Sequence, residues 1–242
     1  MKKMLFIGAF CGALLVTGFS HGADYASTQP VPRTQQFEWM SLSGWYQKHT
    51  DDVRAAEAGQ AQVVLLGDSI TDGWDNNIWK QQLAPLGAVN FGIGGDLTQN
   101  LLWRLDNGAI EQLDPKVVVI LIGVNNFLHQ DASAAEAFAG VKAVVERALA
   151  GYSNAYILLQ GIFPYEASAN HPNRQRVIET NALIAKLAEH PRVHFHDFGP
   201  LLLEDNGAIN PAIMGDYLHP TASGYQRWAD ALLPVIQSLL KL

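Results

Sequence analysis

Apolar residues gather along the chain in short blocks separated by longer amphipathic stretches. Val63 to Leu66, Ala88 to Phe91, Val117 to Ile122, Tyr156 to Gln160 and Val193 to His196 form the blocks. Their length and apolar content read as strands buried on both faces. Between them, apolar positions recur at helical spacing. Trp45, His49 and Val53 mark a helix within Trp39 to Ala58; Leu101, Leu102 and Leu105 share a second helical face. Phe138, Val141, Val145 and Leu149 mark another, followed by Val177, Asn181, Ile184 and Ala188. Tyr225, Trp228, Leu232 and Ile236 mark the last helix, with a kink or early stop expected at Pro234.

Strand alternating with helix predicts an α/β fold, with a parallel five-stranded sheet covered by helices on both faces. No repeat or composition shift divides residues 60–242, so 38–242 reads as a single domain. Residues 24–37, "DYASTQPVPRTQQF" to the phenylalanine, are rich in Pro, Ser, Thr and Gln and read as a linker or N-terminal arm. Residues 1–23 read as a secretory signal peptide: Lys2 and Lys3 precede an apolar run, Leu5 to Phe19, with small residues after it. The run is short for a membrane span of about 20 residues. Cleavage, and hence an exported, periplasmic or secreted protein with no stable membrane anchor, is the expectation.

Charge and composition narrow the function. The chain has 242 residues, 48% of them hydrophobic, and a formal charge of -7. Without a basic excess, nucleic acid is not an expected partner. The only cysteine, Cys11, lies inside the leader-like stretch. Residues 24–242 therefore hold no disulfide, thiol nucleophile or thiolate metal site.

Four segments carry candidate chemistry, and each has a plain structural alternative. "GDS" at 67–69 follows the first strand. Serine there is usually a turn or cap; as a nucleophile, Ser69 needs a base in reach and oxyanion donors nearby. Asp68 reads as a turn acceptor. "NFGIGGD", residues 90–96, ends the second strand. Its glycines turn tightly and expose N–H groups, but the spacing is not that of a dinucleotide loop. Asp96 reads as the cap of the following helix. Asn125 and Asn126 end the third strand, either as a turn or with an amide aimed at a developing oxyanion. "DYLH" at 216–219 is either a cap with a surface histidine, or a base, His219, oriented by Asp216.

Position favours the catalytic alternatives. In an open parallel sheet, ligands bind beyond the carboxyl ends of the strands at a topological switch point. Strand order 2-1-3-4-5 would bring Ser69, the Gly94-Gly95 turn and Asn125 to one crevice. The base would have to return from the fifth strand, about 14 Å away, and residues 197–218 are long enough for that.

Taken together, Gly67-Asp68-Ser69, Gly95, Asn125 and Asp216-x-x-His219 resemble the four blocks of the SGNH (GDSL-type) hydrolases, over roughly residues 60–240. "NFGIGGD", "LLWRL" and "LDPKVVVILIGVNN" are closest to the branch containing the platelet-activating-factor acetylhydrolase catalytic subunits and their bacterial relatives. The resemblance implies a three-layer, flavodoxin-like α/β/α fold. It implies Ser69 as nucleophile, His219 as base and Asp216 as its orienter. The Ser69 and Gly95 N–H groups and the Asn125 side chain would form an oxyanion hole, with no metal or organic cofactor. Val124 stands where that branch often has threonine. The α/β-hydrolase alternative wants Gly-x-Ser-x-Gly, and Thr71 occupies its second glycine position.

The activity expected is hydrolysis of short-chain, especially acetyl, esters of a carbohydrate or other small alcohol. Acyl transfer to a sugar alcohol, lysophospholipase and thioesterase activity are the alternatives, and a non-catalytic binding protein is the alternative outside enzymes. Trp74 and Phe127 are candidate substrate-binding residues, and residues 163–173 a candidate rim or lid. His194 and His196 share a strand face without an evident third zinc ligand, so no metal site is expected. His49, His129, His171 and His190 read as helix or loop surface.

Overall fold

The computed structural model describes residues 26–108, 110 and 112–242; the leader-like stretch lies outside them. Five parallel strands form one sheet: β1 (Val63–Gly67), β2 (Ala88–Gly92), β3 (Val117–Leu121), β4 (Tyr156–Gln160) and β5 (Val193–His196). Their order is β2-β1-β3-β4-β5. Helices lie on both sides of the sheet. That covering is why β1 and β3 are buried at every position, and why their sequences run apolar without alternating.

The helices follow in chain order. They are α1 (Leu42–Glu57), α2 (Ser69–Asp72), α3 (Asn76–Ile78), α4 (Thr98–Asp106), α5 (Val124–Gln130), α6 (Ala134–Gly151), α7 (Pro172–Ile184) and α8 (Ala222–Leu239). α3 passes directly into a π-helical turn, Trp79–Leu83. The sheet register sets Gly67 at the end of β1 beside Gly92 of β2 and Leu121 of β3. The turns that leave these three strands are therefore neighbours.

Two expectations need correction. α8 does not stop at Pro234 but runs to Leu239. Burial of Leu232, Ile236 and Leu239 on either side of the proline offsets the backbone bond it removes. His49 is not a surface residue. It is buried between the Trp45 and Trp103 rings, and desolvation, with Arg104 nearby, lowers its pKa. Residues 26–37 pack against the rest of the domain. Ser27 Oγ donates to Glu136 O on α6, Val31 N to Gln99 O on α4, and Phe37 pairs with Met40. A polar segment reads as linker when its partners are distant in sequence, and these partners are tertiary.

Candidate active site

The site starts from the end of β1. A Cβ on Gly67 would stand 2.5 Å from the Leu121 carbonyl, so the chain passes β3 there only as glycine. The next residue, Asp68, caps α2 by accepting from the Ile70 N–H at 3.0 Å. Its carboxyl is fully enclosed, and burial pushes it up to about 7. This cap leaves Ser69 as the first residue of α2, with no hydrogen-bond partner for its own N–H among the described residues.

Ser69 Oγ lies 2.8 Å from His219 Nε2, although the two are 150 residues apart in the chain. His219 Nδ1 lies 2.7 Å from Asp216 Oδ2. The other Asp216 oxygen accepts the Leu218 N–H at 3.0 Å and the His219 N–H at 2.7 Å, which fixes the carboxylate against its own turn. Partial burial works to raise the Asp216 carboxyl. The His219 side-chain and backbone hydrogen bonds, the His219 charge and the Leu218 N–H outweigh it and hold Asp216 below the usual carboxylate range. The turn is tight: Met214 pairs with Pro220, Gly215 N donates to His219 O, and Tyr217 is left-handed at φ 63. Its carbonyl accepts the N–H of Glu166, itself left-handed at φ 73.

The second turn carries Gly94 and Gly95. Ile93 N donates to Gly67 O at 3.2 Å, joining this turn to the one before Ser69. Gly95 has φ +75, and a Cβ there would stand 2.9 Å from the Trp39 ring and 3.1 Å from Arg33 Nη2. A side chain at this position would therefore be both strained and crowded. The Gly95 N–H has no hydrogen-bond partner among the described residues.

Asn125 enters from the start of α5. Its Nδ2 donates to Asp96 O at 3.0 Å, and the other hydrogen of that amide has no partner among the described residues. Its neighbour Asn126 has a different task. Oδ1 accepts the Thr98 N–H at 3.1 Å, and Nδ2 donates to Thr98, Gln99 and Gln130 side chains. Asn126 thus satisfies the start of α4. Asp96, expected as that cap, is instead fully buried. Its carboxylate accepts from Arg33 Nη2 at 3.0 Å, Trp45 Nε1 at 2.7 Å and Arg104 Nε at 2.8 Å.

This arrangement has the parts needed for acyl transfer. A hydroxyl faces an imidazole nitrogen, the opposite nitrogen faces a carboxylate, and two N–H groups and an amide come from neighbouring turns. The side chains of His219 and Asp216 are 38% and 60% exposed, so water reaches the imidazole. Trp74 and Phe127 are largely buried side chains. Trp74 is buried and stacks on Trp228 at 4.3 Å; Phe127 is buried with Tyr165 at 6.3 Å. The 163–173 segment begins in the core with Phe163 and Tyr165, and only its later part is exposed. His194 packs on Tyr156 and His196 on Phe198.

Two residues beside the site escaped the sequence reading. Arg33 sits in the polar arm, where nothing marks it. Tyr225 carries the helical period of α8, but its hydroxyl also donates to Ile70 O at 2.8 Å, next to Ser69. Core periodicity conceals a polar role of that kind.

A profile of the GDSL-like Lipase/Acylhydrolase family matches residues 65–227. This chain belongs to that family. It is 37% identical over 227 residues to platelet-activating factor acetylhydrolase IB subunit alpha1 of Homo sapiens, covering 90% of this chain and 93% of the relative. The alpha2 subunit of Rattus norvegicus is 34% identical over 199 residues, covering 81% and 85%. Among solved structures, a GDSL-like lipase from Bacteroides thetaiotaomicron matches with a TM-score of 0.64 at 24% identity, covering 78% of this chain and 97% of that one. An acetylxylan esterase from Geobacillus stearothermophilus matches at 0.58 and 23%, covering 74% and 94%. At these identities the two structures share the fold of this GDSL acylhydrolase.

Proposed function

We propose that this GDSL acylhydrolase is a serine esterase that removes short acyl groups, acetyl above all, from a carbohydrate or other small alcohol. The Ser69–His219–Asp216 chain of hydrogen bonds, 2.8 and 2.7 Å, carries the reading. Ser69 Oγ attacks the ester carbonyl while His219 Nε2 takes its proton, and Asp216 holds the imidazole tautomer. The oxyanion sits against the Ser69 and Gly95 N–H groups and the Asn125 amide. Collapse expels the alcohol, which takes the proton from His219. Water then releases the acyl group by the same path in reverse.

Support for a short acyl group comes from names on both sides of the comparison, an acetylhydrolase among the relatives and an acetylxylan esterase among the folds. The exposed base favours hydrolysis over transfer to another alcohol. Export rests on the leader-like stretch of sequence.

The test is hydrolysis of p-nitrophenyl esters from acetyl to long chain, beside the Ser69→Ala variant. The expected result is a preference for acetyl and loss of turnover in Ser69→Ala. Full turnover in Ser69→Ala would remove the nucleophile, and a long-chain preference would remove the substrate class.

A further inference from the structure

Arg33, outside the family-matched segment, reaches the Gly94–Gly95 turn. It lies in the arm before α1, and the family match begins at residue 65. The arm is fastened along its length. Thr98 Oγ1 donates to Ser27 O at 2.8 Å, Asn100 Nδ2 to Val31 O at 3.1 Å, and Arg33 Nη1 reaches Met40 Sδ at 3.5 Å. The guanidinium is buried, 5.3 Å from the centre of the Phe37 ring and 5.8 Å from that of Trp45. Arginine is suited to such a place because its charge is delocalised and weakly hydrated, and because its fork serves several acceptors at once.

Its acceptors matter more than its burial. Arg33 Nη2 donates to Gly94 O at 2.6 Å and to Asp96 Oδ1 at 3.0 Å. Among the described residues, no other hydrogen bond reaches the Gly94 carbonyl. Gly94 O and the Gly95 N–H belong to one peptide unit. That unit is planar and trans, so its carbonyl and its N–H point in opposite directions. Anchoring the oxygen on Arg33 therefore turns the Gly95 N–H away from the arm. Without the anchor, a Gly-Gly peptide rotates easily, because neither residue has a Cβ to oppose it.

We propose that Arg33 is a positioning residue of the oxyanion hole: its hydrogen bond to Gly94 O locks and polarises the peptide whose N–H, on Gly95, stabilises the transition state. A charged donor on the carbonyl strengthens the N–H at the other end of the same amide. The same guanidinium also holds Asp96, whose carbonyl orients Asn125. Two of the three donors are thus set from one buried cation. Arg104 and Trp45 keep their own bonds to Asp96, so the fold has support when Arg33 is changed.

The inference rests on the proposed role of Ser69 and its oxyanion donors, and the experiment separates the two. Arg33→Met and Arg33→Lys are assayed with p-nitrophenyl acetate beside Ser69→Ala and Asn125→Ala. Turnover is expressed per folded molecule, with the folded fraction taken from near-ultraviolet circular dichroism. Removing one oxyanion donor typically costs about 10²–10³ in kcat, so a donor left in place but unanchored is expected to cost about 10- to 100-fold. KM should stay within about twofold, since the hole acts on the transition state. Arg33→Lys keeps the cation and one donor and should recover part of the loss. An aryl trifluoromethyl ketone, which forms an oxyanion adduct, should weaken in parallel with kcat. If Ser69→Ala and Asn125→Ala lose turnover while Arg33→Met keeps it, Arg33 has no positioning role. If Arg33→Lys is no better than Arg33→Met, or KM alone changes, the proposal is also overturned. If Ser69→Ala keeps turnover, the site assignment fails first.

Discussion

The Tyr225 hydroxyl donates to the Ile70 carbonyl at 2.8 Å, tying the first turn of α8 to the short helix that presents Ser69. His219 lies just before α8 and Ser69 just after β1. One buried hydrogen bond therefore fixes the distance between them. Tyr225→Phe removes the donor and leaves the Ile70 carbonyl unpaired. We expect a loss of about 1–2 kcal/mol in urea unfolding and a several-fold fall in kcat. A variant with parental stability and turnover would show that the bond is incidental.

Asn125→Ala takes away the amide proposed as an oxyanion donor, while its neighbour Asn126 continues to satisfy α4. Turnover should fall by about 10²–10³ with the melting temperature little changed. Asn126→Ala should do the reverse. It leaves the Thr98 N–H without its acceptor, so stability falls more than turnover per folded molecule. Equal effects from the two asparagines would contradict the division of labour.

The hydrogen bonds of Asp216 to His219 and to the Leu218 N–H hold its carboxyl below the ordinary carboxylate range. A carboxyl lowered on folding contributes stability that is present above its unfolded value and is lost as pH falls through the folded one. Asp216→Asn should therefore lose less stability than the parent on acidification. Parallel acid unfolding profiles would show that Asp216 contributes nothing there.

At Asp68 stability follows pH in the opposite sense. The buried Asp68 carboxyl rises from 3.8 to about 7. Between those values the folded protein keeps a proton that the unfolded chain has released. Its contribution is therefore complete below about pH 4 and is lost as pH climbs through about 7. Asp68→Asn keeps a good cap without the titration. The melting temperature of Asp68→Asn relative to the parent should rise between pH 4 and pH 7. Parallel profiles would show that Asp68 does not titrate there.

Gly95→Ala combines a left-handed backbone with a methyl 2.9 Å from Trp39. We expect a loss of about 1–3 kcal/mol in stability and lower kcat from a displaced N–H. An active, stable Gly95→Ala would place the oxyanion elsewhere.

Much of this structure could be read before it was seen, for definite reasons. A strand buried on both faces has no polar alternation. The sheet order came with the resemblance to a flavodoxin-like fold, because the strands alone do not say which neighbours they take. Ser69, Gly95, Asn125 and the Asp216–His219 pair stand out because each follows or precedes an element whose end is marked in the pattern. Arg33 did not stand out, because its meaning lies in Gly94 and Asp96, residues far along the chain. Asp96 satisfied the local spacing of a cap, yet two guanidiniums and an indole N–H claimed it instead. Trp74 and Phe127 were placed near the site by sequence proximity, but that says nothing of which way a ring turns. Pro234 shows the opposite conflict: local propensity says stop, and packing on both sides carries the helix through.

His219 and Asp216 are three residues apart on one turn, while the Ser69 hydroxyl they face is 150 residues away. One short turn, closed by the Met214–Pro220 pairing and the Gly215 N–H on His219 O, therefore carries both groups. Whatever sets the place of that turn sets the imidazole and its carboxylate together, as one piece rather than two.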